Sequence, residues 1–262
     1  MLVRAKKSLG QNFLIDENIL KEIVNLGNID SESQVIEIGP GTGNLTKEIV
    51  KKNPKHLILI EKDRFLIDKL NSLFSDKAKI INSDFLELKN QINFNNTIIF
   101  GNLPYNVSTQ ILTKLINLNN TNNKFLKLIL MFQKEVADRI IAKPDTNNYG
   151  RLSIISQWKL DIEKLKDINE NCFRPVPKVK STILIFKPKN NFFKIKHAKN
   201  LEHVTNIFFS LRRKMIKKPL SILFNNYDLV SKKLNLNIND RPQKLSPLKF
   251  YEICREYERS TN

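Results

Sequence analysis

Apolar residues fall in short runs along the first two thirds of the chain, each bounded by turn residues and followed by a stretch with helical spacing. Asp16 reads as the N-cap of a helix over 17–26, with Ile19, Leu20, Ile23 and Val24 on its apolar face and Gly27 closing it. Val35–Ile38 reads as a buried strand running into Gly39-Pro40-Gly41-Thr42-Gly43, and a helix is expected over Asn44–Lys52. The pattern then repeats: strand His56–Ile60, helix Arg64–Phe74, strand Lys79–Ile81, strand Thr97–Phe100 and helix Ile111–Ile116. Leu126–Phe132 is a further strand, Lys134–Ala142 a helix and Ser181–Phe186 a late strand. Alternation of this kind predicts an α/β fold with a parallel sheet wrapped by helices. After Pro188 the strands stop and amphipathic helices continue, one opening with Ser246 as N-cap and Pro247 at its first position. A domain boundary is therefore expected near Asn190, giving a domain over 1–189 and a smaller all-helical one over 190–262.

Charge narrows the partners. The chain of 262 residues carries 44 Lys+Arg against 26 Asp+Glu, a net +18, which favours polyanions and nucleic acid first. Cys172 and Cys254 form no metal-type pair, and His56, His197 and His203 are scattered, so no metal and a reducing, cytoplasmic setting are expected. The N-terminus lacks the apolar core of a secretory signal, and no run approaches the ~20 apolar residues of a membrane span. Without a heptad or large apolar stripe, a monomer is expected. The Asn-rich stretch Asn117–Lys124 reads as a polar loop.

Candidate chemistry clusters where strands end, which is where ligands bind in open α/β sheets. The Gly39–Gly43 turn has GxGxG spacing, and Pro40 removes one N–H from any pyrophosphate cradle. Glu61, at the tip of the next strand, could accept hydrogens from two ribose hydroxyls, pointing to a nucleoside-containing cofactor. Asp84-Phe85 could hold an adenine edge, the carboxylate accepting from the exocyclic amine, or could simply cap a helix. Asn102-Leu103-Pro104-Tyr105 combines an amide, a proline and an aromatic ring, a set suited to a planar amino group but also to a strand-ending turn.

Together with Lys7-Ser8-Leu9-Gly10-Gln11-Asn12-Phe13-Leu14, Gln133-Lys134-Glu135-Val136, Tyr149-Gly150-Arg151-Leu152-Ser153, Phe173-Arg174-Pro175-Val176-Pro177-Lys178-Val179-Lys180-Ser181 and Phe209–Lys214, these blocks give a sequence that resembles the ribosomal RNA adenine N6,N6-dimethyltransferases of the small-subunit type nearly end to end. The resemblance implies a Rossmann-like S-adenosylmethionine-dependent methyltransferase sheet with a smaller helical C-terminal domain. It implies that Asn12 and Leu14 close over the methionine end of the cofactor, Gly39 and Gly41 lie beneath it, Glu61 holds the ribose, and Asp84 with Phe85 holds the adenine. Asn102 would stand where cofactor and target meet, Leu103 and Pro104 would offer carbonyls to the target amine, and Tyr105 and Phe173 would clamp a flipped adenine. The partner implied is small-subunit (16S) rRNA or an assembling small subunit.

The cluster Arg212, Arg213, Lys214, Lys217 and Lys218 reads as a phosphate-contacting patch, or as a solvated helix face. Arg4, Lys6 and Lys7 form a candidate second contact. Two rival functions remain at this level: a large-subunit rRNA adenine methyltransferase conferring antibiotic resistance, and a non-catalytic ribosome-assembly factor. A nicotinamide-dependent oxidoreductase would rest on the glycine loop alone.

Overall fold

The computed structural model describes residues 10–88, 92–119 and 124–261. Arg4, Lys6 and Lys7, the first residues of the Lys7–Leu14 block and Asn120–Asn123 of the polar loop lie outside them. The chain divides into two compact units, one running to Ala137 and resuming over Asp161–Pro188, the other formed by Asp138–Leu160 and the chain from Lys189 onward.

The first unit opens with the two-residue strand β1 (Phe13–Leu14) and helix α1 (Glu17–Asn25), whose N-cap Asp16 accepts from the main-chain N–H of Asn18 and Ile19. Leu20, Ile23 and Val24 are its buried face. Then come β2 (Gln34–Ile38), α2 (Asn44–Val50), β3 (His56–Glu61), α3 (Arg64–Phe74), β4 (Lys79–Asn82), β5 (Thr97–Asn102), α4 (Ser108–Leu118), β6 (Lys127–Gln133) and α5 (Lys134–Ile140), whose residues from Asp138 on count with the second unit. Helix α6 (Arg151–Lys159), which belongs to the second unit, precedes β7 (Leu160–Ile168), β8 (Phe173–Arg174) and β9 (Ser181–Pro188).

Seven strands form one sheet in the order β4-β3-β2-β5-β6-β9-β7. Strands β2 to β6 run parallel, and their registers (Ile38 opposite Ile60, Glu61 opposite Asn82) bring their carboxyl ends to one edge. The expected parallel sheet is corrected at β9, which pairs antiparallel with β6. Strand β7 was not foreseen. It is an edge strand carrying Asp161, Glu163, Lys164, Lys166 and Asp167, and such charges on an edge suppress further pairing while hiding the alternation a strand normally shows. Strands β1 and β8 pair separately, Leu14 opposite Phe173.

The second unit contains α6, α7 (Ala198–Ser210), α8 (Lys217–Leu223), α9 (Tyr227–Lys233) and α10 (Pro247–Ser260), the last capped by Ser246 as expected. Phe208 and Phe209 meet Phe250 with ring centroids 5.3 and 5.6 Å apart. The single cut at 189/190 is corrected by Asp138–Leu160, which packs with this unit. Tyr149 Oη donates to Leu245 O (2.9 Å), Trp158 Nε1 to Phe193 O (2.8 Å) and Tyr251 Oη to Ile154 O (2.9 Å). Helix α6 escaped sequence reading because Ser153, Ile154, Ile155, Ser156 and Trp158 are all buried, so it shows no one-sided stripe.

Candidate functional site

One cavity lies at the carboxyl edge of the sheet, wholly within the first unit. Its floor is the turn after β2, where Gly39 and Gly41 hold φ of +71° and +59°. Side chains other than glycine resist that region. At Gly41 a Cβ would also stand 2.8 Å from the ring of Phe13, which lies across the turn.

Glu61 ends β3, 6% exposed. Its Oε2 accepts from the Gly41 N–H (3.0 Å) and its Oε1 from the Asp63 N–H (2.8 Å). Burial raises its pKa, and these N–H groups partly offset that. The carboxylate keeps acceptor capacity beyond these bonds for a ligand. Asp84 follows β4. Its Oδ1 accepts from the Leu86 N–H (2.8 Å) and its Oδ2 from Lys62 Nζ (2.7 Å). Desolvation works against ionisation there, but Lys62, the Leu86 N–H and the nearby Lys114 charge outweigh it and hold the carboxyl below its usual range. Phe85 is on the cavity wall beside it.

The opposite wall is a strap, residues 10–14, with the turn after β5. Asn102 Nδ2 donates to Asn12 O (2.9 Å), which leaves Oδ1 as the acceptor end of the amide. Leu103, Pro104 and Tyr105 continue the wall. The strap is tied twice more, by Gln11 Nε2 to Asp63 Oδ2 (2.9 Å) and by Asn44 Nδ2 to Leu14 O (2.8 Å). The structure thus brings Asn12, Leu14, Gly39, Gly41, Glu61, Asp84, Phe85, Asn102, Leu103, Pro104 and Tyr105 onto one surface. Among the described residues, no group of three or more His, Cys, Asp or Glu could hold a metal ion.

The sequence of the whole chain decides which of the many α/β families this cleft belongs to. A sequence profile described as Ribosomal RNA adenine dimethylase matches residues 2–259. The chain belongs to the ribosomal RNA adenine dimethylase family. Among relatives of this dimethylase family, a protein of Pelagibacter ubique (strain HTCC1062) named ribosomal RNA small subunit methyltransferase A is 51% identical over 259 residues, covering 98% of both chains. A protein of the same name from Wolbachia sp. subsp. Drosophila simulans (strain wRi) is 41% identical, covering 98% of this chain and 95% of its own. Among solved structures, a dimethyladenosine transferase from Plasmodium falciparum superposes with a TM-score of 0.78 at 25% identity, covering 95% of this chain and 98% of that one. The 23S rRNA methyltransferase ErmE shares the fold, with a TM-score of 0.68, 19% identity and coverage of 94% and 99%.

Two expectations for this dimethylase change. Phe173 does not line the cavity. It is fully buried in β8 and packs into the core with Leu14, its cross-strand partner, so its ring has no face open to a base. Arg212 is partly engaged: its Nη2 donates to Asn147 O (2.7 Å) and Thr146 O (3.4 Å), which ties the side chain to a turn while its charge stays in place. Arg213, Lys214, Lys217 and Lys218 are exposed.

Sequence reading missed the residues that act by holding others. Asn44 and Gln11 tie the strap. Lys114 donates to three carbonyls, Phe85 O (2.7 Å), Leu86 O (2.9 Å) and Leu88 O (2.7 Å), and so fixes the turn that carries Asp84. A lone Lys on a helix gives no such signal. Glu37 lies inside the apolar run that reads as a buried strand. It is buried in β2 and accepts from Thr46 Oγ1 (2.6 Å), and burial pushes its pKa up to about 8.

Proposed function

We propose that the protein transfers methyl groups from S-adenosylmethionine to N6 of adenosines in small-subunit rRNA, giving N6,N6-dimethyladenosine. The observation that carries this reading is the convergence of Glu61, Asp84, Asn102 and Tyr105 on one cavity of a chain that matches the dimethylase family from residue 2 to 259. The donor set fits a sulfonium nucleoside. At Gly39 even a Cβ would meet nothing closer than 3.9 Å, which admits close approach of a ligand; Glu61 offers carboxylate acceptors to hydroxyls, and Asp84, beside Phe85 on the wall, offers an acceptor to a base.

When bound, S-adenosylmethionine supplies a methyl group activated by a positively charged sulfur. The chain's own task is orientation and polarisation. Adenine N6 is a weak nucleophile because its lone pair is delocalised into the ring. Asn102 Oδ1, oriented by the bond from Nδ2 to Asn12 O, accepts one amine hydrogen. A main-chain carbonyl of Leu103 or Pro104 accepts the other. Both contacts draw the nitrogen toward tetrahedral geometry and localise the lone pair. Tyr105 stacks on the base once it has left its helix. An amide does not titrate usefully, so Asn102 acts as a hydrogen-bond acceptor and leaves the proton to water.

Arg213, Lys214, Lys217 and Lys218 then contact phosphates of the RNA, in keeping with the net +18. The protein acts as a monomer in the cytoplasm, on the small subunit or its assembling precursor. The test is transfer of labelled methyl from S-adenosylmethionine to small subunits from a strain lacking adenine dimethylation, with large subunits alongside. Dimethyladenosine in small-subunit RNA alone is expected. Label in the large subunit moves the protein to the resistance branch, and tight binding without label makes it an assembly factor.

A further inference from the structure

We propose that Ser181 is a positioning residue that fixes the plane of the Tyr105 ring, and through it the surface on which the target base stacks. The second clause rests on the function proposed above; the first rests on geometry alone. Ser181 opens β9 and sits opposite Gln133 of β6, with the Lys134 N–H donating to Lys180 O (2.9 Å), so the central sheet sets its backbone position. Its side chain is fully buried. Its Oγ lies 2.7 Å from the Tyr105 phenol oxygen, a contact between residues 76 apart in sequence in which either hydroxyl can donate.

Tyr105 sits on the turn that follows β5 and is half-buried on the cavity wall. Its Cα is placed by that turn, and without a second fixed point the ring could swing about its two side-chain torsions. The hydroxyl pair supplies that point, anchoring the tip of the ring to a strand that plays no other part in the cavity's polar chemistry. Burial favours the neutral phenol, which keeps the O–H available for the pairing. Fixing an aromatic plane in advance lowers the ordering cost of stacking a flipped base on it.

The experiment labels the five tyrosines with ¹³C and measures ring order parameters in the intact protein, identifying Tyr105 by its loss in Tyr105→Phe. In Ser181→Ala the Tyr105 ring becomes more mobile while the other four tyrosines keep their values. An unchanged Tyr105 order parameter overturns the proposal. A kinetic cycle follows on small subunits. Ser181→Ala and Tyr105→Phe each lower kcat about fivefold to tenfold, the size of one lost hydrogen bond, with affinity for S-adenosylhomocysteine unchanged within twofold. The double variant is no slower than Tyr105→Phe. Additive losses, or an equal loss of cofactor affinity, overturn the role of Ser181 through Tyr105. If the unaltered protein transfers no methyl group, the proposed function fails instead, and the ring measurement still decides whether Ser181 fixes Tyr105.

Discussion

Glu61 and Asp84 are each held by an N–H two positions away, that of Asp63 or Leu86, and by a group on a neighbouring strand tip, the Gly41 N–H 20 positions from Glu61 and Lys62 22 positions from Asp84. Asn102, Tyr105 and the strap are held by distant ones: Asn12 is 90 positions from Asn102, Ser181 is 76 from Tyr105, and Gln11 is 52 from Asp63. The first wall is built from strand tips and tight turns, so once two adjacent strands pair, its carboxylates are in place. The second wall exists only when the sheet, the strap and β9 are all assembled. A substitution on the first wall should therefore act on the turn that carries it, whereas one on the second should loosen a group far away in the chain.

The largest expected effect tests the second wall. Asn102→Ala removes both the acceptor for the target amine and the tie to Asn12, and should lower kcat about 10²–10³-fold. Cofactor affinity should fall as well because the strap loses its tie at Asn12 while those at Gln11 and Leu14 remain, and association with small subunits should stay within about twofold. A kcat loss with cofactor affinity untouched would show that the strap does not depend on Asn102. Gly41→Ala comes next. It strains a φ of +59° at a cost of about 1–2 kcal/mol and drives a Cβ into Phe13, so it should weaken cofactor binding about tenfold by calorimetry. Lys114→Met probes the first wall. Losing three charge-assisted hydrogen bonds should cost about 1–3 kcal/mol in denaturant unfolding, with a severalfold loss of cofactor affinity as the turn of Asp84 loosens.

Smaller effects separate the cleft from the surface. Arg213→Glu with Lys217→Glu should flatten the salt dependence of subunit binding by about one unit of slope per cation, leaving cofactor affinity unchanged. An unchanged slope would make the cluster a solvated face. Arg212→Ala should behave differently, lowering stability through its lost carbonyl contacts. Last, Glu37 has a folded pKa of about 8 against 4.5 for the free group, so the folded state binds the extra proton between those values. Its contribution to stability is complete below about pH 4.5 and is lost as pH rises to about 8. Glu37→Gln should remove that slope, which paired denaturation curves at pH 5 and pH 8 will show.

How much could be read in advance follows the same division. Asp16 and Ser246 cap helices as expected, and α3 runs over Arg64–Phe74 as its spacing predicts. These elements are set by hydrogen bonds within four residues and by one buried face, and both leave a trace in the local pattern. The strand tips carrying Gly39, Glu61, Asp84 and Asn102 were legible for the same reason.

Phe173 shows the limit. Its block marks it as important, but whether its ring faces a cavity or the core depends on which strand it pairs with, and Leu14 lies far away in the chain. Helix α6 and strand β7 leave no clean local signal because one is buried on most sides and the other has its apolar alternation broken by five charged residues. The antiparallel insertion of β9, the commitment of Asn102 Nδ2 to Asn12, the anchoring of Tyr105 by Ser181 and the diversion of Arg212 to a turn are all long-range pairings. The sequence by itself determined the elements, the carboxylates and the glycine turn, because their causes are local. Only the tertiary structure decided which side chains face the cleft and which hold it open, because a hydrogen bond between residues 76 or 90 positions apart has no periodicity to betray it.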